Sequence, residues 1–205
     1  DDSGKAVMAV KELKIQFSLL KSRYSGRTGW DDALGRVESM LMEADSAINA
    51  NGYREAHMAL EGIRYALMEL RKDSGLNGYI LDHMTEFHEV MEKIVNTASG
   101  KTPEDLSVGD IQTIARALPE AKTLWERVTQ TDFNRHMFGF TQGKAERLEK
   151  EFRNEHDALR GLEEALLTGD KSEIIRASVA IKPHYGKAFK LFGNFGALNM
   201  GPAGA

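Results

Sequence analysis

Apolar residues recur three and four positions apart along almost the whole chain, the spacing that lines up side chains on one face of an α-helix. Seven stretches carry this pattern. The first runs from about Ser3 to Tyr24, with Ala6, Val10, Leu13, Phe17 and Leu20 inward. The second begins near Trp30, where Asp31 and Asp32 suit the positive end of a helix dipole, and aligns Leu34, Val37, Leu41, Ala44 and Ile48. Asn51 and Gly52 should end it. The third, Tyr53 to Lys72, aligns Ala56, Leu60, Ile63, Leu67 and Leu70, and a fourth spans Asn77 to Val95. The fifth, Val108 to about Thr129, turns Ile111, Ile114, Leu118, Trp125 and Val128 inward, with Pro119 predicting a kink or interruption. The sixth, Lys144 to Leu167, aligns Leu148, Phe152, Leu159, Leu162 and Leu166 and should stop at Gly169. The seventh, Ser172 to about Gly193, presents Ile174, Ala177, Ile181, Tyr185, Ala188 and Phe192, with Pro183 on its outer side.

No segment shows the strict alternation or β-branched density of a sheet, so the expected fold is all-α, an antiparallel bundle of about seven helices forming one helical domain. The connection NTASGKTPEDLS, between Asn96 and Ser107, has the composition of a linker and divides the chain near its middle. It defines two candidate pseudo-repeat halves, 3–96 and 107–193. An echo between AINANGYREAHMALEGIR and ALLTGDKSEIIRASVAIK, each a helix end, a Gly-containing turn and a new helix, supports a duplicated helical hairpin. Residues 194–205 lack charge and periodicity and read as a loose tail.

The fourth stretch carries the most suggestive chemistry. Tyr79, Ile80, Phe87, Val90, Met91 and Ile94 share one side, and His83 projects from the middle of that stripe. Asp82, Thr85, Glu86, Glu89, Glu92 and Lys93 take the opposite side, with Met84 and His88 at the border. Elsewhere Glu155 falls on the apolar stripe of the sixth helix, His156 adjoins it, and His184 edges the seventh. Polar groups aimed at a core must be satisfied there, so these are the informative residues. Two readings follow. His83, Glu155 and His184 could converge as an inward metal site of the kind helix bundles build, or each could be a core group satisfied by a carbonyl, a carboxylate or a cation. Met84, His88 and Met91 form a second, softer set, thioether and imidazole, which suits copper, although Met at helical spacing also serves as core filler.

Composition narrows the classes. The 205-residue chain is 41% hydrophobic and 28% charged, with a formal net charge of −4 and no cysteine. That charge, without a basic stretch, argues against a nucleic-acid partner. No apolar run reaches the roughly 18 residues of a membrane span. The lack of thiols removes disulfides, thiolate metal sites, iron–sulfur clusters and covalently attached haem. A start at Asp1 without an initiator Met is consistent with a mature exported protein, most simply periplasmic. No Walker loop, nucleophile elbow or paired Glu-x-x-His motif is present, so an enzyme is not expected.

The antiparallel helices, the small residues after a Gly turn and the last helix, IKPHYGKAFKLFGNF, resemble the four-helix bundles of the cytochrome b562 and cytochrome c-prime type. The resemblance covers about half of the chain and includes no specific motif. It implies a non-covalent haem in electron transfer, with axial ligands from Met8, Met40, Met84, His83 or His184. The first expectation is therefore a non-enzymatic exported bundle that binds a transition metal ion, copper above all. Its alternatives are a cofactor-free helical sensor or protein-interaction module, and a b-type haem protein. The aromatic segment FNRHMFGF is the best surface candidate for a protein partner, unless Phe138 and Phe140 cover a bundle end.

Overall fold

The computed structural model describes residues 2–193, and every regular element among them is a helix. These are α1 (Asp2–Tyr24), α2 (Asp31–Asn49), α3 (Tyr53–Asp73), α4 (Ile80–Ala98), α5 (Val108–Gln130), α6 (Gln142–Thr168) and α7 (Lys171–Lys190). The expected all-α bundle is what the chain forms. The tail 194–205 lies outside the described residues.

The helices fall into two compact units, α1–α3 and α4–α7, and the division lies between Asn77 and Gly78. In the first unit α2 packs against both α1 and α3. Phe17, Leu34, Val37, Leu41, Ile63 and Ala66 form one apolar cluster, and Val10, Ile48 and Ala56 a second. Asn51 adopts a left-handed φ of 60° to end α2, a conformation that Asn tolerates better than most residues.

The second unit is a closed ring of four helices, since α4 packs on α5, α5 on α6, α6 on α7 and α7 on α4. One continuous core fills it. On α4 the fully enclosed side chains are Ile80, Met84, Phe87, Met91, Ile94 and Ala98, alternately four and three residues apart. That is the repeat by which helices inclined at a small angle interlock. α5 passes through Pro119 without interruption, because the ring lies on the exposed side of a helix held by its neighbours. α6 stops where Gly169 takes φ 73°, as its sequence predicts.

Two expectations need revision. The boundary between the compact units precedes α4, whereas the segment 96–107 is a tight connection inside the second unit. Leu106 is the reason, for it is fully buried in the core that α4 and α5 share. The orientation of α4 also differs. Asp82 and Thr85, expected outward, are buried, and Met84 and Met91 lie at the centre of the core. α5 flanks this helix on one side and α7 on the other, so its buried arc is wide and centred between those neighbours. Hydropathy alone centres the arc nearer His83.

Candidate functional site

Three histidines of the second unit, His83, His88 and His184, sit at seams between helices and face carboxylates. His83 Nδ1 lies 3.2 Å from Glu86 Oε2, which also accepts from Arg127 at 3.1 Å, and so His83 belongs to the α4–α5 seam. His88 Nε2 is 3.3 Å from Glu92 Oε1, whose other partner is Lys182 at 2.6 Å across the α4–α7 seam. His184 Nδ1 lies 3.0 Å from Glu151 Oε2 at the α6–α7 seam. Among the described residues these are pairs, and no group of three or more His, Asp or Glu is placed to hold a metal ion. His83, Glu155 and His184 do not come together. Met84 and Met91 are enclosed in the core rather than forming an edge with His88.

Glu155 is a different case, and its inward direction agrees with the sequence. It occupies a core position of α6 between Phe152 and Leu159 with no exposed surface. Its Oε2 accepts the backbone N–H of Tyr185 on α7 at 3.0 Å, while Oε1 has no hydrogen-bond partner among the described residues. Burial pushes this carboxyl up to about 9, against the bond from Tyr185 and with help from the negative charge of Glu151. It is therefore the neutral acid at pH 7. Glu151 goes the other way: burial raises it, but bonds from His184 and Asn154 and the charge of Lys187 outweigh that and hold it below its ordinary value.

The four helices also meet in an aromatic layer. Phe87 of α4 packs on Trp125 of α5 at 4.8 Å and on Tyr185 of α7 at 5.7 Å, and Trp125 meets Phe152 of α6 edge-on at 5.2 Å. Trp125 also donates its indole N–H to the Phe152 carbonyl at 3.3 Å. Such pairs prefer tilted and edge-on arrangements, which is how these rings fill the centre. At the bundle end Phe133, Phe138, Phe140 and Phe192 cluster with centroids 5.1–5.9 Å apart. The FNRHMFGF segment thus covers the core with Phe138 and Phe140 and leaves Met137 outside.

Of the four seams, α5–α6 is the least closely packed. A cavity of about 220 Å³ opens there beside Thr129, Thr131, Asp132, Phe133 and Arg135, and shares Thr129, Glu149 and Phe152 with a shallower one of about 480 Å³ that reaches Arg153, His156 and Asp157. His156 leads on to a third hollow of about 110 Å³ beside Trp125 and Leu159. Nothing in the sequence marks this groove, because periodicity reports which way a side chain faces and not how far apart two helices stand. Its rim residues read as an ordinary mixed-charge surface.

The fold and this groove define a class, an all-α protein with a four-helix antiparallel ring. No known family matches the chain, and neither a curated protein nor a solved structure matches it significantly. Among the described residues no helix is long and apolar enough to cross a membrane.

Proposed function

We propose that this protein is a helical sensor or interaction module that holds a small amphipathic organic molecule along the open α5–α6 seam. The observation behind this reading is the run of adjoining hollows on that seam, with Phe152 at the centre and Trp125 beneath. The first two together lie within the roughly 300–1,000 Å³ usual for small-molecule sites. Thr129, Thr131 and Asp132 offer hydrogen-bonding groups at one end, Phe152 and the stems of Arg153 and Arg160 an apolar bed along the rest. Arg135 and Glu149, 3.6 Å apart, close one rim.

A transition-metal function is the weaker proposal, because His83 lies at the α4–α5 seam, apart from Glu155 and His184 on the α6–α7 seam. A b-type haem ligated by Met84 would have to enter the core in which that side chain is fully enclosed. The test is chemical-shift mapping of the full chain with a library of amphipathic aromatic fragments. We expect hits that perturb Thr129, Phe152 and His156 and that Thr129→Trp abolishes by filling the seam. Fragments that bind elsewhere, or equally well to Thr129→Trp, sink the reading.

A further inference from the structure

Glu155 has no part in the α5–α6 groove, yet it is the most anomalous side chain in the protein. A core position of a helix ring asks for a hydrocarbon. This one holds a carboxyl with no exposed surface, one oxygen without a partner, and no salt bridge among the described residues. Leaving a buried polar atom unsatisfied costs about 1–3 kcal/mol, so its presence calls for a physical account.

The geometry supplies one. The other oxygen reaches across to a backbone N–H, that of Tyr185, 3.0 Å away. Inside a regular helix that N–H is turned to a carbonyl of its own strand of turns. Here it lies two residues after Pro183, which has no N–H to give to the helix ladder. Glu155 therefore meets α7 within one turn of Pro183, where the ladder of that helix lacks a donor. One helical turn away on the same two helices, Glu151 meets His184. Two carboxyls thus fasten the same seam, and only Glu151 has a cation beside it.

We propose that Glu155 is a proton-operated latch between α6 and α7: as the neutral acid it closes the seam at the Pro183 turn, and as the carboxylate it opens it. A neutral carboxyl can sit in this apolar layer while accepting one N–H. A carboxylate cannot, since it would bring a net charge into a fully buried position with a single donor to answer it. The facing groups add repulsion or are already engaged. α6 presents Glu151, negative and tied to His184. α7 presents His184 and Lys187, whose charge acts on Glu151. α4 presents His88, stacked on Tyr185 at 5.1 Å and paired with Glu92, and α5 presents Trp125, with Lys122 turned outward to Glu163.

The sign follows from proton counting. In the closed seam the group titrates near 9, and in an opened, hydrated seam near its ordinary 4.5. Between those values opening releases one proton, so each unit of rising pH favours the open form about tenfold, and above about 9 the effect levels off. The test is residue-resolved amide exchange of the full chain from pH 6 to pH 8. Once the intrinsic chemistry of exchange is divided out, protection of the amides from Tyr185 to Lys190 should fall about a hundredfold, and that of the α4 core amides should not. Glu155→Gln, which keeps the shape and the acceptor, should make the α7 protection independent of pH. Equal pH dependence in both proteins overturns the latch. Should Glu155→Gln fail to fold, carboxyl-carbon NMR of the unaltered chain decides: a Glu155 midpoint near 9 supports the latch, and one near 4.5 overturns it.

Discussion

The two units use the same kind of sequence to different effect. Helices α4–α7 each have two neighbours, so a stripe of alternating four and three spacing is covered from both flanks and merges into one core. In α1–α3 only α2 is flanked twice, and the apolar residues settle into two smaller clusters. The remainder shows at the surface: Met8, Ile15 and Leu19 on α1, Met42 on α2 and Met58 on α3 are all more than half exposed. Helix starts differ as well, though α4, whose N-cap is Tyr79, lacks a side-chain cap as α2 and α3 do. Ser107, Thr141 and Asp170 cap α5, α6 and α7 with side-chain hydrogen bonds, while Trp30 and Gly52 provide none to α2 and α3. Ring closure, more than residue content, separates a well-filled core from a partial one.

The sharpest way to break this comparison is to remove the centre of the ring. Phe87→Ala deletes a fully enclosed ring that touches both Trp125 and Tyr185, and should cost about 3–5 kcal/mol in urea unfolding of the full chain. A loss below about 1 kcal/mol would mean that the aromatic layer is not the core's keystone. Next in size is Leu34→Ala, at the heart of the larger cluster of the first unit, with an expected cost of about 2–5 kcal/mol. Amide exchange should report lost protection in α2 and α3 and unchanged protection in α6. Loss spread evenly over all seven helices would erase the distinction between two cores.

How far the sequence could foresee this differs from feature to feature. Helix number, the stops at Asn51 and Gly169, the outward Pro183 and the capping of a bundle end by Phe138 and Phe140 all rest on local periodicity and turn chemistry, and these survive in the folded protein. The inward Glu155 was legible for the same reason. The grouping of α4 with α5 and α7 was not, because it depends on Leu106 inserting from what reads as a linker. Nor was the place of His83, which depends on where two neighbours stand relative to α4 and on Arg127, distant in sequence, reaching Glu86. The α5–α6 groove is a gap between helices, and a gap leaves no trace in the pattern of either one.

Smaller effects sharpen the contrast in helix ends. Asp170 accepts from Ser172 N–H at 2.8 Å and Glu173 N–H at 3.2 Å, so Asp170→Ala should destabilise the second unit by about 0.5–2 kcal/mol. An unchanged midpoint in urea would show that the α6–α7 turn is held by packing alone.

The smallest expected effect is in acid. Ser107 and Asp110 form a reciprocal capping box at the start of α5, and Lys101 joins it at 2.7 Å from the aspartate. The bond from Lys101 first, then those from Ser107, hold the Asp110 carboxyl down at about 2, below its ordinary 3.8. A lowered value means that the folded form binds its proton more weakly than the unfolded form. The box's contribution is therefore complete above about pH 4 and is lost as pH falls through about 2. Carboxyl-carbon NMR should give Asp110 a midpoint near 2, and Lys101→Ala should move it part of the way back toward 3.8 while the Ser107 bonds keep the rest. A midpoint of 3.8 in the unaltered chain would mean that the box is open in solution, and the second unit would then keep side-chain caps at only two of its four helix starts, α6 and α7.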